Sequence, residues 1–149
     1  MKLVHLLTGL ALALLFAAPI TADEVGERLF VDSCSGCHQL GGTGQPGLAP
    51  PLTDPALWTG LGDKAPAYLV GIMFGGLTGK IRAMGQDYIG VAMPPQDWMS
   101  DEEMQAVAVY VLQDLNGLDM PPSLGMIAAT RNARPTHQAL RAVRKEAVR

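Results

Sequence analysis

The chain has 149 residues, room for one ordinary domain, and its 48% hydrophobic against 17% charged residues excludes an intrinsically disordered polymer. Eleven Lys and Arg against fourteen Asp and Glu leave a net charge of −3, without the basic footprint that nucleic-acid binding needs. Seventeen Gly and eleven Pro beside only three Phe, two Trp and three Tyr describe a loop-rich fold that is poor at filling its own core, and two cysteines exclude a disulfide framework.

Lys2 begins the chain as a short positive region, and Val4 to Ile20 is almost wholly apolar. Thr21-Ala22 then offers a small-residue site before the acidic Asp23-Glu24. Residues 1–22 therefore read as an export signal cleaved after Ala22, which places the remainder outside the cytoplasm. The alternative is a retained membrane anchor, since the stretch is near the lower limit of ~17–25 residues for a span.

The remainder of the chain divides by charge. Residues 23–121 hold four basic side chains against thirteen acids, a net −9, and residues 122–149 hold six against Glu146 alone, a net +5. Pro121-Pro122 marks the boundary between an acidic domain and a basic C-terminal tail.

The acidic domain reads as all-α. A first helix spans 23–32, with acids in its first turn where they complement the helix dipole. Directly after it stands Cys34-Ser35-Gly36-Cys37-His38. C-x-x-C-H is the attachment motif of c-type haem: two intervening residues let both sulfurs form thioethers with the vinyl groups, and the histidine serves as proximal iron ligand. Competing readings are a zinc site, which lacks a fourth ligand here, a thioredoxin-like pair, which lacks its βαβ surroundings, and a plain disulfide. One covalently bound haem also supplies the apolar mass that the composition lacks.

Residues 41–55 are rich in Gly and Pro and read as a loop. A second helix is expected over 65–74, with Asp63 as its cap and Pro66 in the first turn. Residues 75–95 read as another loop, with no convincing alternating strand. This loop holds the candidates for a sixth iron ligand. His5 lies in the export segment and His137 in the tail, so the choice falls on methionine. Met93 stands apart because Pro94-Pro95 stop the backbone from turning helical there and hold it extended; Met84, on the same loop, is the second candidate. His/Met ligation raises the potential relative to a bis-His site and leaves no open position on the iron.

The last helix of the domain opens with a capping box, Ser100-Asp101-Glu102-Glu103. Met104, Val107, Ala108, Val111, Leu112 and Leu115 come after it at helical spacing, and Asn116-Gly117 closes it. In the tail Thr136 can cap a helix on which Leu140, Val143 and Ala147 share a face amid Arg141, Arg144 and Lys145. That segment either meets anionic lipid or a partner protein, or it is solvated or rests on the acidic domain.

From Cys34 to Leu115 the sequence resembles a monohaem class I cytochrome c. The resemblance rests on the ordered run of Gly26 and Phe30, Cys34 to His38, Gly47-Leu48-Ala49-Pro50-Pro51-Leu52, Gly76-Leu77-Thr78-Gly79, Gly85-Gln86-Asp87-Tyr88, Met93-Pro94-Pro95 and Tyr110. It implies the class I fold of three or more helices with long loops around one haem. Gly26 would let the first helix cross the last, Phe30 and Tyr110 would pack near that crossing, and His38 and Met93 would be the axial ligands. The motif stands about a dozen residues after the expected cleavage point, whereas class II cytochromes carry it near their C-terminus. The Pro-Pro-Leu and Gly-Leu-Thr-Gly segments resemble the cytochromes or cytochrome subunits that serve periplasmic dehydrogenases of bacteria.

Two functions are consistent with these residues. One is a periplasmic carrier of single electrons between a dehydrogenase and a downstream oxidase or carrier, with no reaction catalysed on a substrate. The other is a haem enzyme or small-ligand sensor whose sixth iron position is open or labile. The acid surface either steers a partner with a basic patch or, in acids such as Asp101, Glu102 and Glu103, merely solvates helix ends.

Overall fold

A computed structural model describes residues 22–90 and 92–149, with the side chains of residues 22 and 23 left out. The expected export segment lies, but for its last residue, outside the described residues. Among the described residues no helix is long and apolar enough to cross a membrane.

Helix α1 spans Ala22–Ser33 and runs directly into a single helical turn, α2 (Ser35–His38). Then come α3 (Pro55–Leu61), α4 (Ala65–Gly75), a hairpin of β1 (Ile81–Ala83) and β2 (Gln86–Tyr88), and α5 (Asp101–Val109). Two further helices, α6 (Leu124–Asn132) and α7 (His137–Ala147), lie in the basic tail.

The expected first and last domain helices form and cross each other. Gly26 makes the crossing possible, because a Cβ there would run into the carbonyl oxygen of Ala106 and lie 3.1 Å from Cβ of Tyr110. Phe30, fully buried, meets Tyr110 across the contact with ring centroids 5.2 Å apart and planes tilted by 47°. The α5 capping box is complete: the Ser100 hydroxyl accepts from Glu103 N–H at 3.2 Å, and the Glu103 carboxylate accepts from Ser100 N–H at 2.9 Å. Past Val109 the helix widens into a π-helical turn, Tyr110–Asp114. Asn116 steadies that turn, its Nδ2 donating to the carbonyls of Val111 at 2.7 Å and Leu52 at 3.1 Å.

Three expectations need correction. The second helix begins at Ala65 as expected, but Asp63 does not cap it; Asp63 lies in a 3-10 turn, Gly62–Lys64, that joins two helices. The first of these, α3, falls partly in the stretch that reads as a loop. Asp54 caps it by accepting from Leu57 N–H at 3.3 Å, and Pro55 occupies the first position, where a missing N–H is tolerated. Finally, residues 75–95 contain strands. Ile81 to Ala83 pair antiparallel with Gln86 to Tyr88, and Met84 and Gly85 form the two-residue connection, both at positive φ as such hairpins require. Three residues per strand are too few for an alternating pattern to stand out.

Helix α4 is apolar all round, and eight of its eleven residues are buried, as befits a helix in the middle of a fold. It touches α3, α5, α6 and α7. The tail thus packs on the domain. Leu140 is buried, Pro135 and Leu140 close over Gly71, and the Ala147 backbone lies so near Gly60 of α3 that a Cβ could not be accommodated there. Of the readings open for this face, it rests on the acidic domain, turned onto α3 and α4.

Candidate functional site

A cleft runs through the middle of the molecule, holding about 1350 Å³ of empty space, part of it open to solvent. Its walls are overwhelmingly apolar, from Phe30, Leu57, Leu69, Met73, Val107 and Val111 among others.

One wall is the C-x-x-C-H segment. Cys34, Cys37 and His38 all line the cleft. The turn α2 positions them: the His38 N–H donates to the Cys34 carbonyl at 2.9 Å, and the Cys37 N–H to the same oxygen at 3.1 Å. Both thiols are free. Burial, helped by the neighbouring Cys37, pushes the Cys34 thiol up to about 11. His38 is buried, and its Nδ1 lies 3.0 Å from the carbonyl oxygen of Pro50. An Nδ1–H donated there leaves Nε2 with its lone pair for a metal. Burial also holds the imidazole below its ordinary 6.5, the Pro50 hydrogen bond opposing this, so the ring is kept in the neutral, ligating form.

The Met93 segment forms another part of the lining, with Ala92, Pro94 and Gln96 beside it. Its backbone is fixed. Met93 and Leu77 form an isolated antiparallel bridge, and Gln96 N–H donates to the Met73 carbonyl at 2.7 Å. Met84 is elsewhere. It sits at the hairpin tip at a φ of 46°, 66% exposed, and does not line the cleft. His137 also stays outside the cleft, with Nδ1 2.7 Å from the Thr78 hydroxyl and Nε2 2.9 Å from the Gly75 carbonyl.

Two residues in the lining are missed by sequence reasoning. The Tyr68 hydroxyl is buried and has no hydrogen-bond partner among the described residues. Arg144 reaches the cleft from α7, although from sequence the tail reads as a separate unit. A signal for the arginine is present, since Leu140 and Arg144 stand four apart and so share a helix face.

These features fit a haem. An apolar slot offers two thiols and an imidazole from one chain segment and a thioether-bearing residue from another, while a buried hydroxyl is left without a partner. The comparisons with known proteins agree: a family model described as Cytochrome c matches residues 24–114. The chain belongs to the cytochrome c family. Two curated relatives, both called cytochrome c-552 from Thermus thermophilus, are each 36% identical to it. The first alignment runs over 106 residues, 71% of this chain, and the second over 86 residues, 58%. The chain spans 64% of the length of either relative. The class I fold is thus present, mostly helical among the described residues with one short hairpin, and this cytochrome c carries the family's one covalent haem c, for which Cys34 and Cys37 supply the attachment motif. Zinc finds no support: among the described residues no group of three or more His, Cys, Asp or Glu comes together. The match ends at Asp114, so the two tail helices lie outside it.

Proposed function

We propose that this cytochrome c is a periplasmic carrier of single electrons, its iron held between His38 and Met93. The observation that carries the reading is the pairing of a buried, neutral His38 and a backbone-clamped Met93 in one apolar cleft. The haem supplies a one-electron ferric/ferrous couple; the protein keeps both iron ligands in place so that the change of charge needs little rearrangement. The Pro50 carbonyl orients the His38 ring and the Leu77 bridge holds Met93, so neither ligand depends on a mobile loop. The apolar walls exclude water, which favours the less charged state and raises the potential, as a thioether ligand also does.

With His38 and Met93 both holding the iron, a haem bound here would leave no place at the metal for a substrate and would supply one-electron chemistry alone. The partners would be a dehydrogenase as donor and an oxidase or second carrier as acceptor. Export through residues 1–22 delivers the chain to the compartment where such partners reside. The function within an oxidoreductase complex, as its cytochrome subunit, is the same electron relay without free diffusion.

The test is spectroscopic. In the ferric protein a weak long-wavelength charge-transfer band reports Fe–S(Met) ligation, and Met93→Ala removes it and leaves a high-spin iron that binds cyanide when ferric and carbon monoxide when reduced. Met84→Ala leaves the spectrum unchanged. A wild-type protein that is already high-spin and ligand-reactive would instead favour the enzyme or sensor reading, and loss of the band in Met84→Ala would refute the ligand assignment.

A further inference from the structure

The cleft is apolar, yet a haem brings two carboxylates, and the ends that bear them need a cation or hydrogen-bond donors if they are not wholly in solvent. Among the described residues Arg144 is the one Lys or Arg in the lining. It comes from the last helix of the tail, beyond the region that matches the family.

Burial of that guanidinium is costly, and its partners are few. It is 6% exposed. Its Nε and Nη2 each lie 3.3 Å from the Arg82 carbonyl, and Nη2 lies 3.5 Å from Oδ2 of Asp54, the limit of hydrogen-bond distance. Asp54 is committed elsewhere through Oδ1, which caps α3. Nη1 makes no hydrogen bond among the described residues. Tyr68 stands in the same lining with its hydroxyl buried and unpartnered. Arg144 is a neighbour of that phenol: its charge and its approach to hydrogen-bonding range oppose the upward push of burial, although no bond of normal geometry closes between the two. A buried cation with donors to spare, a buried hydroxyl without a partner and an otherwise apolar wall make a receptor for an anion.

The tail is built to hold the arginine there. Thr136 caps α7 by accepting from Ala139 N–H at 3.2 Å. Arg141 donates to the Thr78 carbonyl, and Leu140 fills the space over Gly71. At the far end Ala147 lies against Gly60.

Resting on the haem-bearing reading above, we propose that Arg144 and Tyr68 receive a haem propionate carboxylate, so that the C-terminal helix is part of the cofactor site. The guanidinium supplies charge and N–H donors, and the phenol donates its O–H to the same group. Asp54 fixes the far side of the arginine and orients it toward the cleft. Truncating the tail therefore strips the cofactor of a counter-charge as well as removing a helix.

The experiment uses the full chain matured with haem labelled with carbon-13 at the propionate carboxyls. Haem loading is checked first, by mass and by the absorbance of the reduced protein; a chain without haem fails the haem reading itself. Redox-induced infrared difference spectra then report the labelled carboxyls in wild type, Tyr68→Phe, Arg144→Lys and the double variant Asp54→Asn/Arg144→Gln. The double variant avoids leaving Asp54 as an unpaired buried charge. Tyr68→Phe should shift a labelled carboxylate band. The double variant should show a labelled, protonated carboxyl on acidification, with a midpoint potential that falls as pH rises where the wild type is flat, and Arg144→Lys should restore much of the wild-type profile. Asp54, Tyr68, the Arg82 main chain and, further off, His38 and His137 also face or flank this region, and the label separates the propionate from them. Labelled bands identical to wild type in both Tyr68→Phe and the haem-loaded double variant would overturn the proposal. If the double variant fails to load haem, an unshifted band in Tyr68→Phe overturns it alone.

Discussion

Leu77 and Met93 exchange both main-chain hydrogen bonds, Leu77 N–H to the Met93 carbonyl at 3.0 Å and Met93 N–H to the Leu77 carbonyl at 2.9 Å. The Gly-Leu-Thr-Gly segment thereby acts as a splint for the methionine loop. Gly76 is what allows the approach, because its φ is +69° and a Cβ there would lie 2.5 Å from the Met93 carbonyl oxygen and 3.1 Å from the Pro95 ring.

Gly76→Ala should then do two things at once. The left-handed conformation and the contact with the Met93 carbonyl together cost on the order of 1–3 kcal/mol. The displaced loop also weakens the Met93 bond, so the long-wavelength ferric band should fade at neutral pH in a protein that still holds its haem. Unchanged intensity of that band, together with an unchanged denaturant midpoint, would show that the splint is dispensable.

Arg131 ties the tail to the same loop. Its Nε donates to Asp101 at 2.7 Å, Nη2 to the Met99 carbonyl at 2.7 Å and Nη1 to the Asp97 carbonyl at 3.0 Å, while the guanidinium lies 4.6 Å from the Phe74 ring centre. Arg131→Ala should lower unfolding stability by about 1–3 kcal/mol, the range of charge-assisted hydrogen bonds and their stranded partners. Chemical denaturation followed by far-ultraviolet circular dichroism measures it, and a loss within experimental error of zero would mean that water replaces all of these donors. Arg134, paired with Asp97 between two well-exposed side chains, should matter far less.

Acid should destabilise the fold through His38. The imidazole is held neutral by burial, whereas in the unfolded chain it titrates near its ordinary 6.5. Protons therefore bind the unfolded state first, and stability falls as pH drops from 6.5 down through the lower folded value and is flat above 6.5. Iron ligation acts in the same direction because it too excludes the proton from Nε2. Denaturant midpoints recorded through this range should decline on the acid side only; a midpoint that rises on acidification would contradict the assignment of a neutral, ligating ring.

Electron exchange with a partner bearing a basic patch should slow as salt is added. The acidic domain carries −9 before its propionates are counted, although the folded-back tail cancels part of this through Arg131, Arg134 and Arg144. Stopped-flow rates at increasing ionic strength make the comparison, and a rate indifferent to salt would mean that charge does not steer the encounter.

The haem motif is legible in the sequence because covalent attachment needs fixed spacing: Cys34, Cys37 and His38 can be read without knowing the fold. Met93 is legible for a related reason, since two prolines after it restrict the backbone locally. The capping box at Ser100 and the close crossing at Gly26 are also short-range or residue-specific signals. Helix α3 carries a local signal too, because Asp54-Pro55 is a cap with a first-turn proline behind it, although the Gly and Pro around it make the stretch read as a loop. The hairpin is too short to announce itself, and so Met84 stands as a rival ligand in the sequence although it occupies the turn.

The sequence alone thus determined the chemistry that depends on neighbours along the chain: the cofactor, its attachment motif and the histidine proposed as one iron ligand. Only the tertiary structure decided which methionine faces the cleft, what clamps it, and that the basic tail folds back to put Arg144 beside Tyr68 and Asp54. The reason is that these are contacts between residues far apart along the chain, 16 positions for Leu77 and Met93, 62 for Arg82 and Arg144 and 90 for Asp54 and Arg144. A charge on an amphipathic helix reads the same from sequence whether its face meets water, lipid or a buried anion site; packing on the small floors at Gly60 and Gly71 makes the choice.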